Sequence, residues 1–356
     1  MNTEIRISVD AMGGDNGPRT VLGGARMALA ERPNSRFIFH GRKAELEPLL
    51  AALPDLARVS TVVHCENVVP MGAKPSQALR RGRGNSSMWN TLQTVKDGDA
   101  DVAISCGNTG ALMAMSTFCL RPIEGIARPA IAAIWPTLRA DTIVLDVGAT
   151  VGGDGRQLVD FSILGAAMAR ALFDMRDPTV GLLNVGVEEV KGLDAVKDAA
   201  RFLSEARNAG MTYCGFVEGD DIGKGTVDVV VTEGFAGNIA LKTAEGTARQ
   251  VGEYLKAALG ETWSSRLGAL IARPALLAFR RKMDPRRVNG GVFLGLNGVV
   301  IKSHGSTDEL GFKSALGLAY EMARNRLIER IGEGMDRLGP LPEHHEELVS
   351  AEATTA

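Results

Sequence analysis

Three observations predict an α/β fold built on a mainly parallel sheet. Apolar β-type runs alternate with helical stretches along most of the chain, and glycine-rich turns repeatedly follow the β-type runs. The composition, 45% hydrophobic and 23% charged over 356 residues, is that of a soluble globule with a large core. The 42 glycines exceed the usual ~7% and point to many tight turns. A net charge of −2 argues against nucleic acid as a partner. Cys65, Cys106, Cys119 and Cys214 are dispersed without CxxC spacing, so neither a disulfide framework nor a metal site is expected. No run of ~18 uninterrupted apolar residues is present to span a bilayer, and the N-terminus has no apolar signal core.

The first unit is Arg6 to Pro18. Ile5, Ile7 and Val9 form a β-type run ending at Asp10, a turn of Gly13, Gly14, Asp15, Asn16 and Gly17 follows, and Pro18 suits the first turn of a helix. Glycines admit close backbone approach, and a helix N-terminus favours an anion. Strands at Arg36 to Gly41 and Val59 to His64, with a helix from Glu45 to Leu53 between them, continue the alternation. The basic segment from Gln77 to Gly84 reads either as a solvated helix end or as a dock for an acidic partner. A helix near Ser87 to Lys96 precedes the strand at Asp101 to Ser105, whose turn carries Gly107, Asn108, Thr109 and Gly110. Cys106 in that turn reads as a small packing residue.

Strands at Ala130 to Trp135 and Thr142 to Val147 lead to a turn over Asp146 to Asp154 and a helix from about Leu158 to Phe173. Further strands begin at Thr179, Met211 and Val227. Asn184 and Lys191 follow the first of these, and Gly237, Asn238 and Lys242 follow the last. A helix from Phe235 places Asn238 and Lys242 on one face. Residues 261–287 read as an amphipathic basic helical hairpin. Trp263, Leu267, Leu270, Ile271, Leu277 and Met283 supply the apolar spacing, while seven cations, among them Arg280, Arg281 and Lys282, face only Glu261 and Asp284. That pattern suits an anionic membrane surface, an acidic partner or a dimer contact. The strand Val299 to Lys302 ends at Ser303, His304 and Gly305, and a final helix is expected from Thr307 to Ile331. The expected organisation is one α/β domain over 1–331 with 261–287 as an insertion, and a mobile tail over 332–356 in which His344 and His345 are solvated.

In an open parallel sheet the strands' carboxyl ends share one edge, so all these turns are expected to converge on one crevice. Their pooled groups are amide and hydroxyl donors, a few cations and one histidine. Such a site holds and positions an anion and offers no evident covalent nucleophile.

The ordered motifs Val9 to Asp15, Ser105 to Met113, Gly125 to Ala130, Gly181 to Asn184, Asp228 to Lys242, and Leu294 to Gly298 with His304 and Gly305 resemble the bacterial phosphate acyltransferase family of phospholipid synthesis, from about residue 5 to residue 330. The resemblance implies a Rossmann-like three-layer α/β/α core related to phosphotransacetylases and isopropylmalate dehydrogenases. It further implies transfer of a fatty acyl group from acyl carrier protein to inorganic phosphate, and a cytoplasmic homodimer lying peripherally on the inner face of the cell membrane. No cofactor is implied, and glycerol-3-phosphate acyltransferase is the downstream partner of the acyl phosphate. Two positions depart from the family pattern: Thr150 replaces an asparagine, and Val292 and Phe293 replace Ala-Pro.

Phosphate is an oxygen nucleophile and a thiolate a good leaving group, so the protein has mainly to hold and orient. The expected binding set is Asp10, Gly13, Gly14, Asp15, Gly107, Asn108, Thr109, Gly110, Asn184 and Gly237, with Lys191, Lys242, Asn238 and His304 acting on the reacting groups. Asp10 and Asp15 orient donors, since bare carboxylates repel phosphate. Two rival readings are a nicotinamide-dependent hydroxy-acid dehydrogenase, disfavoured by the lack of GxGxxG in the opening loop, and a membrane-surface scaffold that recruits acyl carrier protein through its basic patches.

Overall fold

The computed structural model describes residues 4–206, 210–282 and 284–338. The chain opens with β1 (Ile5–Asp10), α1 (Gly17–Glu31), β2 (Ser35–Gly41), α2 (Lys43–Ala51), α3 (Pro54–Ala57) and β3 (Ser60–His64). It continues through α4 (Pro75–Gly82), α5 (Ser87–Lys96), β4 (Val102–Ser105), α6 (Thr109–Leu120), β5 (Ala130–Pro136), β6 (Asp141–Leu145) and α7 (Gly155–Phe173). Next come β7 (Thr179–Leu183), α8 (Asp194–Glu205), β8 (Thr212–Val217), α9 (Gly219–Lys224) and β9 (Val229–Val231). Three helices follow in series, α10 (Gly234–Glu261), α11 (Trp263–Ile271) and α12 (Arg273–Lys282). A 3-10 turn at Pro285–Val288, β10 (Gly291–Leu294), β11 (Val299–Lys302), α13 (Glu309–Arg324) and α14 (Leu327–Leu338) complete it.

Among the described residues all eleven strands join one sheet in the order β3-β2-β1-β4-β11-β10-β5-β6-β9-β7-β8. Apolar side chains pack on both faces. Ile5, Ile7 and Val9 of β1 point with Phe37 and Phe39 into a core shared with α1, α7 and α13, while Ala103, Val144, Val230 and Val300 belong to a second core on the other side with residues of α5, α6 and α9. The result is the expected three-layer α/β/α arrangement.

Strand direction departs from the expectation in a way that matters for the site. β10 is antiparallel to both β11 and β5, and β5 is antiparallel to β6. Only four residues lie between Pro136 and Asp141, and four between Leu294 and Val299. A parallel crossover needs a dozen or more residues, so connections this short reverse the chain. In consequence β6, β9, β7 and β8 run opposite to β3, β2, β1, β4 and β11. The carboxyl ends of β1, β4 and β11 share a first edge of the sheet, and those of β6, β7 and β9 lie at the second, opposite edge. The single crevice expected from a parallel sheet is therefore replaced by two clusters.

One helical expectation is corrected and two others gain their bounds. α10 runs 28 residues, to Glu261, and among its described side chains only Gly234 and Gly237 are buried. The basic stretch after it forms two helices separated by Ala272, neither with a buried residue; Met283 lies outside the described residues. The expected helix from Thr307 to Ile331 is broken at Arg326, whose φ of 55° ends the α conformation, and Asn325 there donates to Ala171 O at 2.7 Å. Its second half, α14, continues to Leu338, and Met335 packs on the core, so 332–338 is a packed helix rather than tail. His344 and His345 lie outside the described residues.

Candidate functional site

At the first edge three loops meet. Gly13 packs so tightly that an added Cβ would lie 2.8 Å from both Asp10 Oδ2 and Gly107 N, and Gly14, at φ 86°, would place one 2.8 Å from Cys106 Cβ and 2.9 Å from Gly305 O. No larger residue fits between these backbones. Asp15 N donates to Gly305 O at 2.8 Å, and the Asn16 amide donates to Ser306 O and Thr307 O. The opening stretch is thus tied to the loop that carries His304.

Asp10 is fully buried beneath this junction. Ser105 Oγ donates to its Oδ2 at 2.7 Å and accepts from Gly107 N at 2.9 Å, so the carboxylate orders the turn after β4. Burial pushes its pKa above the ordinary value, against the Ser105 hydrogen bond. Cys106, also buried, is pushed up to about 12 by desolvation and stays a neutral thiol at physiological pH, which agrees with a packing role. Asn108 caps α6 by accepting from Ala111 N, and its amide donates to Met71 O and Ala73 O. Its donors therefore hold the 71–73 loop, while Thr109 stays exposed at the helix N-terminus. Gly110 meets Pro75 at the start of α4.

His304 is exposed, and its Nδ1 faces both Ser306 N at 3.3 Å and Ser306 Oγ at 3.0 Å. An amide only donates, so Nδ1 accepts and the neutral ring carries its proton on Nε2. Asn289 orders this loop: its amide donates to Ser303 Oγ, Thr307 Oγ1 and Gly311 O, and its oxygen accepts from His304 N.

Lys302 is the residue at this edge that sequence reasoning missed. It ends β11, and its Nζ donates to Cys106 O at 3.4 Å and to Ser303 O. Burial lowers its pKa to about 8, with Asp10 and Asp15 opposing the fall. A lysine closing an apolar strand directly before Ser303-His304-Gly305 was the available signal.

The second edge is organised differently. The Asp146 carboxylate accepts from Ile131 N, Gly148 N, Ala149 N, Thr150 N and Thr150 Oγ1, five donors between 2.8 and 3.1 Å. Thr150 Oγ1 also accepts from Gly234 N at 3.3 Å, so the hydroxyl at this departing position joins the turn to α10. Gly237 lies against Asp146 O, and Asn238 donates to Val147 O at 3.1 Å. Asn184 folds its own loop by donating to Gly186 O and Lys191 O. Lys191 pairs with Glu188 and Lys242 with Glu245, each at 2.7 Å, and the Glu188 hydrogen bond raises the Lys191 pKa. Asn184, Lys191, Gly237, Asn238 and Lys242 are thus not brought together with Asp10, Thr109 and His304 within one chain.

The helix N-termini differ in the same sense. Glu233 closes that of α10 by accepting from Phe235 N and Ala236 N, and Asp154 caps α7. At the first edge α1 has no side-chain cap and no acid in its first turn, and α6 has no acid there either. At the first edge the end of α1 is left open and that of α6 carries only the neutral Asn108 cap, while Asp308 caps α13; the ends of α10 and α7 at the second edge are met by the protein's own carboxylates. Among the described residues no cluster of His, Cys, Asp and Glu is arranged to hold a metal ion.

The family model described as "Fatty acid synthesis protein" matches residues 5–330. A phosphate acyltransferase of Chelativorans sp. (strain BNC1) is 62% identical over 332 residues, spanning 93% of this chain and 95% of that protein. The chain belongs to the phosphate acyltransferase family. The Azorhizobium caulinodans member is 57% identical over the full length of both proteins. Among solved structures, a phosphotransacetylase from Streptococcus pyogenes shares the fold, with a TM-score of 0.61 at 16% identity over 90% of this chain and 94% of that one. A 4-hydroxythreonine-4-phosphate dehydrogenase from Klebsiella pneumoniae gives 0.51 at 13% identity over 91% and 98%. These two likenesses concern the fold alone, and they agree with the phosphotransacetylase-like core that the family motifs imply.

Proposed function

We propose that this member of the phosphate acyltransferase family transfers a fatty acyl group from acyl carrier protein thioester to inorganic phosphate, and that the transfer takes place at the first edge. The carrying observation is the pair of helix N-termini there, α1 and α6, with no acid in their first turns beside the Lys302 ammonium. That combination attracts an anion. A phosphate oxygen attacks the thioester carbonyl carbon, the C–S bond breaks, and the departing thiolate takes up the proton of hydrogenphosphate. The Nε2–H of His304 donates to the oxyanion of the tetrahedral intermediate. Ser105 is engaged with Asp10 and Cys106 is a buried thiol, which supports direct attack without an acyl-enzyme.

Incubation with acyl carrier protein thioester, with and without phosphate, tests this. Acyl phosphate forms only with phosphate; phosphate-independent thiol release, or an acyl group found by mass spectrometry on Ser306, overturns it. The acyl phosphate would then serve glycerol-3-phosphate acylation in phospholipid synthesis.

Lys191, Asn238 and Lys242 retain a proposed role through the homodimer that the family motifs imply, each reaching the reaction from a second copy. Exposed Phe235 and Ile239 beside Asn238, and Val187 and Val190 beside Lys191, form the kind of apolar surface that a partner covers. For α11 and α12 the proposal is peripheral contact with the inner face of the membrane. Trp263 and Ile271 are 80% and 76% exposed, Leu267, Leu270 and Leu277 are exposed as well, and Arg280, Arg281 and Lys282 end α12. No helix among the described residues is long and apolar enough to cross a membrane. Replacing Leu270, Ile271 and Leu277 by Gln should abolish sedimentation with anionic vesicles while leaving activity in solution; unchanged sedimentation refutes the contact.

A further inference from the structure

Lys302 was absent from the expected catalytic set, yet three elements converge on it. It closes β11, its ammonium lies against the carbonyl of Cys106 at the end of β4, and the loop after β1 passes over Cys106 at Gly14. An ammonium has three N–H donors. Two are engaged, with Cys106 O at 3.4 Å and Ser303 O, and the third meets no acceptor among the described residues. The carboxylates of Asp10 and Asp15 bear on it only through space, since neither forms a hydrogen bond or ion pair with it. The side chain is part-buried, so the third donor is one that an arriving anion can take in a charge-assisted hydrogen bond.

The surrounding backbone is shaped for such an arrival. Gly13, Gly14 and Gly107 carry no side chains where any Cβ would collide with a neighbour, leaving backbone amides, the uncapped end of α1 and the neutrally capped end of α6 as the walls. Resting on the reading that phosphate is the acyl acceptor, we infer that Lys302 is a substrate-binding residue whose free N–H takes a phosphate oxygen and holds the nucleophile between the ends of α1 and α6. Asp10, at the end of β1, acts on phosphate only indirectly, by ordering Ser105 and Gly107 and by keeping Lys302 charged.

The groups that face Lys302 are Asp10 from β1, Asp15 from the following loop and the Cys106 thiol from the end of β4. With its proton lost near pH 8, phosphate binding should weaken above that pH. Phosphate's own second ionisation is common to every variant, so the difference between variants is the readout.

The experiment compares wild type with Lys302→Met, which keeps the aliphatic stem, and Lys302→Arg, which keeps a charge that does not titrate in this range. KM for inorganic phosphate, KM for the acyl donor and calorimetric phosphate binding are measured from pH 6.5 to 9.5, with circular dichroism and melting to establish folding. Lys302→Met should raise KM for phosphate by about ten- to a hundredfold, as expected for a lost charge-assisted hydrogen bond, and leave KM for the acyl donor unchanged. Lys302→Arg should restore part of the binding and abolish the alkaline limb near pH 8. A folded Lys302→Met protein with phosphate affinity within twofold of wild type overturns the inference, as does an alkaline limb that persists in Lys302→Arg. Should wild type form no acyl phosphate, the proposed function fails, while calorimetric loss of phosphate binding in Lys302→Met would still support the site.

Discussion

Asp160 lies within α7 with 1% of its surface exposed, and among the described residues only Arg156, at 3.7 Å, forms an ion pair with it. Burial raises its pKa to about 6. A carboxyl whose folded pKa exceeds its unfolded value of 3.8 favours the folded state when protonated, and that advantage is lost as pH rises through about 6. Asp160→Asn should therefore raise stability at pH 8 by about 3 kcal/mol, read as a higher melting temperature, and give no gain at pH 4. Equal shifts at both pH values would contradict the assignment. Asp146 shows the opposite solution, its carboxylate being met by five donors. Both aspartates were visible as residues. Which of them is satisfied depends on what lies opposite, and Ile131 N, one of the five donors, comes from a neighbouring strand.

At the scale of elements, the glycines of α10 divide by position. An added Cβ at Gly237 would lie 1.9 Å from Asp146 O, whereas Gly246 and Gly252 face open space. Gly237→Ala should lower stability by at least about 1–3 kcal/mol, since the helix must move off the Asp146 turn. Gly246→Ala and Gly252→Ala should each raise it by up to about 1 kcal/mol, through helix propensity alone. Thermal melts of the three variants check the contrast, and a neutral Gly237→Ala would show that the contact yields. The helix itself was legible from Phe235 onward. Its length was not, because with only two buried residues in 28 it has no sustained apolar stripe to mark where it ends. The break at Arg326 was likewise hidden in a run that reads as one helix.

At the scale of the whole molecule, the reversal of the sheet separates Lys302 and His304 from Lys191 and Lys242. If second copies complete the site, Lys302→Met and Lys242→Ala homodimers should each be nearly inactive at phosphate well below the wild-type KM, and mixing them under subunit exchange should restore about a quarter of wild-type turnover there, the statistical share of sites carrying both native residues. No restoration, with exchange verified by mass spectrometry, would refute a shared site. The sequence by itself determined the α/β class, the strand positions other than β10, the glycine turns and the family, because periodicity, turn chemistry and ordered motifs are local properties of the chain. It also held the clue to the reversal, in connections of four residues at Thr137 to Ala140 and Gly295 to Gly298. Only the tertiary structure decided which turns share an edge, which carboxylates already occupy helix ends, and that the part-buried Lys302 ammonium lies against Cys106 O and Ser303 O. Those are properties of neighbours distant in sequence, set by strand order and direction.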